Sequence, residues 1–126
     1  MITTDMISSI KALRPFVPAK DFAISQSFYE TLGFTLRRLG PELTEMSLGG
    51  HSFLLQNFYV AEYAGNFMMT LLVDRIDPWW QHVEGLNLAS TFGVRLPQPP
   101  KKEPWGLWVS YIVDPSGVLW HIAAPE

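Results

Sequence analysis

One order of signals occurs twice along this chain: an extended apolar run, a helix closed by glycine, then three short strands divided by turns. In the first copy, Ala12–Ala19 reads as a strand in spite of Pro15 and Pro18. These prolines sit three apart, point opposite ways and each remove a ladder donor, which suits an edge strand. Asp21 offers an N-cap, and Ile24, Phe28 and Leu32 recur at a spacing of four, one helical face. Gly33 stands where a left-handed residue ends a helix. Phe34–Leu39, Glu42–Leu48 and Ser52–Phe58 follow as strands, with Gly40-Pro41 and Gly49-Gly50 as the turns between them.

The second copy begins with the β-type run Met68–Val73. Asp77 can cap a helix, Pro78 fits its first turn, and Trp79, Trp80 and Val83 give it an apolar side before Gly85. Phe92–Leu96 reads as the next strand, and Pro97-Gln98-Pro99-Pro100 leads on to strands at Trp108–Val113 and Val118–Ala123. The turn between these, Asp114-Pro115-Ser116-Gly117, has type I chemistry. A β-α-β-β-β order that repeats implies an internal duplication of roughly 60 residues per unit. Residue identity between the halves is low, so the reading rests on the order of signals. It predicts an α+β protein with a first module over residues 1–58, a linker over 59–66 and a second module over 67–126, all in one compact domain. The stretch 57–66, which holds Tyr59, Tyr63 and Gly65, reads as a linker, with a lid or a point of module exchange between chains as the alternatives.

Composition narrows the function. Of 126 residues 48% are hydrophobic and 17% charged, so the chain can bury a core. A net charge of −3, with the basic residues scattered beyond the pairs Arg37-Arg38 and Lys101-Lys102, argues against a nucleic-acid partner. The absence of cysteine removes disulfides, thiolate nucleophiles and cysteine-based zinc sites. Met1–Ile10 lacks the pattern of a secretory signal, and no run approaches the roughly 20 apolar residues of a membrane span. A cytoplasmic location is the resulting expectation.

Two motifs carry a family resemblance. Phe16-Val17-Pro18-Ala19-Lys20-Asp21, continuing through Ser25 to Phe28-Tyr29-Glu30-Thr31-Leu32-Gly33-Phe34, resembles the opening of vicinal oxygen chelate proteins. Asp114-Pro115-Ser116-Gly117-Val118-Leu119-Trp120 is similar to that superfamily's final hairpin. The Trp105-Gly106 pair and the proline-bearing first strand look most like its glyoxalase and bleomycin-resistance branch. The resemblance spans nearly the whole chain and speaks to fold rather than to reaction. It implies two βαβββ modules whose mixed sheets curl around a cleft, a homodimer, and a small-molecule ligand.

The resemblance also supplies a test for metal. In metal-binding members a ligand lies on the first strand, seven residues before the capping Asp, which here gives Arg14 and Thr70. Arginine has no lone pair to donate, and a threonine hydroxyl is a weak neutral ligand. The last-strand position of the second module is His121, a competent ligand type; in the first module the candidates are His51 or Gln56. One or two ligands fall short of the three that a catalytic cation needs. The expectation is therefore no cofactor, with a divalent metal disfavoured. His121 then reads as a polar cleft residue or as a strand histidine facing water.

Arg14 on an apolar strand must be paired or solvated. It reads either as a clamp for an acidic or polar ligand, or as one half of an internal ion pair with Glu45 or Glu126, or as a frayed strand end. Trp105 and Trp108 flank Gly106 near the mouth of a strand, where aromatic faces stack on planar or cationic ligands; Phe58 and Tyr59 could form the opposite wall, and Phe16 shares parity with Arg14. The alternative is one core tryptophan and one loop anchor. Trp79, Trp80 and Trp120 read as packing residues. No phosphate loop, nucleophile elbow or triad spacing is present, and Glu42 and Glu45 fall on opposite strand faces. The resulting expectation is a non-enzymatic protein that sequesters a planar or amphiphilic ligand, such as an antibiotic. Its site would comprise Arg14, Phe16, Phe58, Tyr59, Trp105, Trp108 and His121, and a metal-dependent lyase, isomerase or dioxygenase is the alternative.

Overall fold

The computed structural model, which describes residues 1–126, resolves the repeat into two four-stranded mixed sheets. A short helix α1 (Thr4–Ser8) precedes the first module: β1 (Phe16–Pro18), α2 (Phe22–Leu32), β2 (Thr35–Gly40), β3 (Leu43–Leu48) and β4 (His51–Gln56). Helix α3 (Ala61–Asn66) leads to the second: β5 (Met68–Leu72), α4 (Ile76–Glu84), α5 (Leu88–Phe92), β6 (Lys101–Lys102), β7 (Trp108–Val113) and β8 (Leu119–Ala124). The strand orders, β1-β4-β3-β2 and β5-β8-β7-β6, are the same topology twice. In each sheet the first strand runs parallel to the last and all other pairs are antiparallel. The expected α+β duplication is what the chain forms. No helix is long and apolar enough to cross a membrane.

Local chemistry explains the first helix. The Asp21 carboxylate accepts from the Ile24 N–H at 3.1 Å, and Gly33, at φ 130°, closes the helix with its N–H bonded to Tyr29 and Glu30 carbonyls. The buried residues are Ser25, Gln26, Phe28, Tyr29 and Leu32, whereas Ile24 is exposed. An i, i+4 reading finds one edge of a face, and the packed face also takes in i+1 of each pair.

Three expectations need correction. β1 pairs only over Phe16–Pro18, not from Ala12, and Pro18 occupies an edge strand, where its missing N–H leaves no gap in a ladder. Asp77 does not cap α4: the N-cap is Arg75 and Asp77 lies in the first turn, where it complements the helix dipole. Phe92–Leu96 is not a strand. Phe92 ends α5 and packs edge-on against Phe28, and Gly93 turns left-handed at φ 68°. The strand of that position in the repeat is β6, two residues paired with Trp108 and Val109.

Both sheets bury their helix-side faces in one core. Val17, Met46, Phe53 and Leu55 come from the first sheet, Ile112, Trp120 and Ile122 from the second, and Phe28, Tyr29 and Leu32 of α2 lie between them. Trp120 packs against Tyr29, Phe34 and Phe53 of the other module, with ring centroids 5.6 to 5.8 Å away. A buried polar chain joins the modules at the same place. The Trp120 indole N–H donates to the Tyr29 hydroxyl, and that hydroxyl donates to Asp114. Asp114 also accepts from the Ser116 and Val118 N–H groups at 2.8 and 2.9 Å, and the Ser116 hydroxyl accepts from the Lys20 N–H at 2.8 Å. Burial pushes the Asp114 carboxyl above its ordinary range, although these hydrogen bonds pull it down. Burial, and then the carboxylate beside it, raise the Tyr29 phenol well above its usual value.

Candidate ligand-binding site

Because the helix-side faces share one core, the other face of each sheet points away from it. On the first sheet the register places Phe16, Leu54, Glu45 and Arg37 in one row across β1, β4, β3 and β2. Arg14 joins that face: its guanidinium meets the Glu45 carboxylate at 2.8 Å. Arg37 reaches the same carboxylate at 3.2 Å. The ion-pair reading of Arg14 is thus realised with Glu45 and not with Glu126, and two guanidinium groups share one acid. The Nε of Arg14 is buried without a partner, which leaves one donor of the cluster unspent.

Arg37, then Arg14, hold the Glu45 carboxyl below the usual carboxylate range. A depressed carboxylate stabilises the fold above its unfolded value, and that contribution is lost as pH falls through the folded one. Glu45→Gln is therefore expected to be less stable than the parent at neutral pH and to converge with it toward pH 3. Urea midpoints measured for both proteins at intervals from pH 7 to pH 3 check this. Parallel curves would show that the pair contributes nothing to the pH dependence.

The open face of the second sheet carries Thr70, His121 and Tyr111 in register across β5, β8 and β7. The Tyr111 ring meets His121 edge-on with centroids 4.8 Å apart. Burial raises the Tyr111 phenol, and the Glu103 carboxylate facing it raises it further, so this hydroxyl stays protonated over the ordinary pH range. A cavity of about 250 Å³ lies beside it, lined by Arg95, Gln98, Val113 and Leu119 among others.

Arg14 and Phe16 sit on the first open face and His121 on the second. Trp108 pairs with Ala124 in β8, which puts it on the helix side of β7, opposite to Tyr111 and His121. Trp105 is 59% exposed in the β6–β7 loop. Phe58 and Tyr59 follow β4 on the surface, and Tyr59 lies under the Lys20 ammonium at 5.6 Å from its ring centroid. Within one chain the candidate metal ligands do not converge. His51 and Gln56 fall on opposite faces of β4 and His121 belongs to the other sheet. No three His, Cys, Asp or Glu side chains cluster as a cation site requires. The count from Asp77 to Thr70 also loses its footing, because α4 is capped two residues earlier, at Arg75. Tyr111, Glu103, Arg95 and Gln98 escaped the sequence reading: their only signal was strand alternation in β7, and the loop partners carry none.

The family model described as Glyoxalase/Bleomycin resistance protein/Dioxygenase superfamily matches residues 11–122. The chain belongs to this superfamily. Among solved structures, a bleomycin-binding protein complexed with bleomycin superposes with a TM-score of 0.78 at 21% identity, over 93% of this chain and 100% of that one. The bleomycin-binding protein of Streptomyces verticillus, complexed with copper(II)-bleomycin, gives 0.76 at 20% identity over 94% and 98%. A lactoylglutathione lyase from Agrobacterium tumefaciens gives 0.65 at 17% identity over 91% and 94%. No curated protein matches the sequence. At these identities the superpositions establish a glyoxalase/bleomycin-resistance fold. Within it, this member keeps the two module-joining motifs and carries an Arg14–Glu45–Arg37 cluster on the open face of its first sheet.

Proposed function

We propose that this superfamily member is a homodimeric protein that sequesters a planar or amphiphilic small molecule, such as an antibiotic, without a metal ion and without transforming it. The observation that carries this reading is the pair of open sheet faces. Each presents a few polar groups within apolar surroundings, and because both turn away from the shared core, one chain cannot close a cleft with them. Two copies can, by setting the first sheet of one against the second sheet of the other. Phe16 and the Arg14–Glu45–Arg37 cluster would then face His121, Tyr111 and Thr70 across the ligand. Apolar walls with a few convergent polar groups are the usual make-up of such sites. The likeness to bleomycin-binding proteins that hold bleomycin and copper(II)-bleomycin supports a ligand-holding role.

The test is a panel of planar antibiotics and metabolites, including metal-free and copper(II)-bleomycin, read by tryptophan fluorescence and melting temperature. A ligand at a hundredfold excess over its Kd adds about 2.7 kcal/mol to stability, several degrees for a domain of this size. EDTA-treated protein is expected to respond equally. The reading falls if no member of the panel shifts the transition. It also falls if stoichiometric divalent metal binds and His121→Ala abolishes that binding.

A further inference from the structure

The two modules differ most between their helix and the strand that follows it. In the first, α2 ends beside Gly33 and β2 begins at Thr35; in the second, residues 85–100 intervene and carry α5 and the proline-rich run. Residues of this insert and of α4 together line a cavity of about 300 Å³. Buried Val83 and Leu88 line it from the core side, and Trp80, Leu96 and Pro99 contribute its remaining apolar wall. That volume is at the lower limit of small-molecule pockets.

Every charge at this cavity is negative. Glu84 is its one ionisable lining residue and takes part in none of the chain's ion pairs. It is also the last residue of α4, where the carbonyl ends of the helix already concentrate negative partial charge and a carboxylate is disfavoured. Trp80 lies four residues earlier on the same helix face, and the face of an indole ring attracts cations. The Ser90 hydroxyl is committed to the Asn87 carbonyl at 3.1 Å, and the Asn87 side-chain amide, also at the cavity, can turn its oxygen to accept from an ammonium.

We propose that this cavity is a second binding site, for a small organic cation with an apolar body. An ammonium or quaternary ammonium group would sit between Glu84 and the Trp80 ring, with its hydrocarbon or aromatic part against Leu96 and Pro99. The carboxylate, the α4 terminus and the indole face act in one direction against the weaker N-terminus of the five-residue α5, and the cation relieves the conflict between Glu84 and the α4 dipole. The site lies beside α4, and Leu96 is the one residue it shares with the cavity beside Tyr111.

The test is a titration of the full chain with benzyltrimethylammonium chloride, following the indole N–H signals of the five tryptophans by NMR. Trp80→Phe assigns the Trp80 signal. That signal is expected to shift saturably while those of Trp105 and Trp108 hold still. Glu84→Gln, at an exposed position, melts no lower than the parent and weakens binding about fivefold or more, and benzenesulfonate fails to bind. An unmoved Trp80 signal overturns the proposal, as does an equal response to benzenesulfonate or an unchanged affinity in Glu84→Gln. A Trp80 signal that moves with protein concentration alone also overturns it, because a second copy would then be the occupant.

Discussion

Asp114→Ala is expected to lower the melting temperature by roughly 10 to 15 °C, the largest loss for any single polar group in this chain. The substitution removes the acceptor for the Tyr29 hydroxyl and for two backbone N–H groups of the β7–β8 turn, all in the buried seam between the modules. Orphaned buried donors cost about 1–3 kcal/mol each, and breaking such a network costs about 3–5 kcal/mol in all. Tyr29→Phe is expected to cost about half as much, since it strands one Asp114 oxygen and the Trp120 indole N–H. The two changes act on one network, so the double variant should fall short of their sum by about 1–2 kcal/mol. Urea unfolding of the three variants decides the matter, and changes within about 0.5 kcal/mol for both single variants would show that the seam rests on apolar packing alone. The titration has its own sign. A raised carboxylate binds its proton more tightly in the folded state, so Asp114 favours folding below its unfolded value and loses that advantage as pH rises through the folded one. This opposes Glu45, and Asp114→Ala should therefore steepen the acid loss that Glu45 produces.

If the proposed two-copy cleft forms, Leu72→Asp is expected to convert the dimer into a monomer and to abolish ligand binding, with the isolated fold retained. Leu72 is 64% exposed on β5 and its side chain shares the open face with Met68 and Thr70. In a twofold dimer one substitution acts twice. Losing about 2 kcal/mol of apolar burial per copy weakens association on the order of 10³-fold, before the cost of desolvating the new carboxylate. Analytical ultracentrifugation across a concentration range should give twice the monomer mass for the parent and the monomer mass for the variant. A parent that stays monomeric at high concentration would remove the two-copy cleft, and a variant that stays dimeric would move the interface off this face. Circular dichroism of the variant should match the parent, since no core group is touched.

How much of this was legible depends on the range of the physics. Asp21, Gly33 and the Asp114–Gly117 turn act on neighbours within four residues, and each does in the structure what its type implies. β6 was not legible, because two exposed lysines have no period to read. Phe92, Val94 and Leu96 alternate like a strand, yet the aromatic pocket at Phe28 and the left-handed Gly93 decide otherwise. Trp108 shows how little separates a cleft residue from its opposite: a one-residue change of register turns a side chain to the other face.

For the site, the sequence named Arg14, Phe16 and His121 as polar or aromatic groups on apolar strands, and the fold puts all three on open faces. It could not choose Glu45 over Glu126 for Arg14, nor find Arg37 as a second claimant, because strand pairing makes those neighbours. The sequence by itself determined the order of elements, the duplication and the absence of thiol chemistry, since caps, turns and composition are local properties. The tertiary structure decided which sheet faces stay open and what meets across the seam. Tyr29 and Asp114 lie 85 residues apart, and burial depends on what packs opposite a residue, which its own neighbours in the chain do not specify.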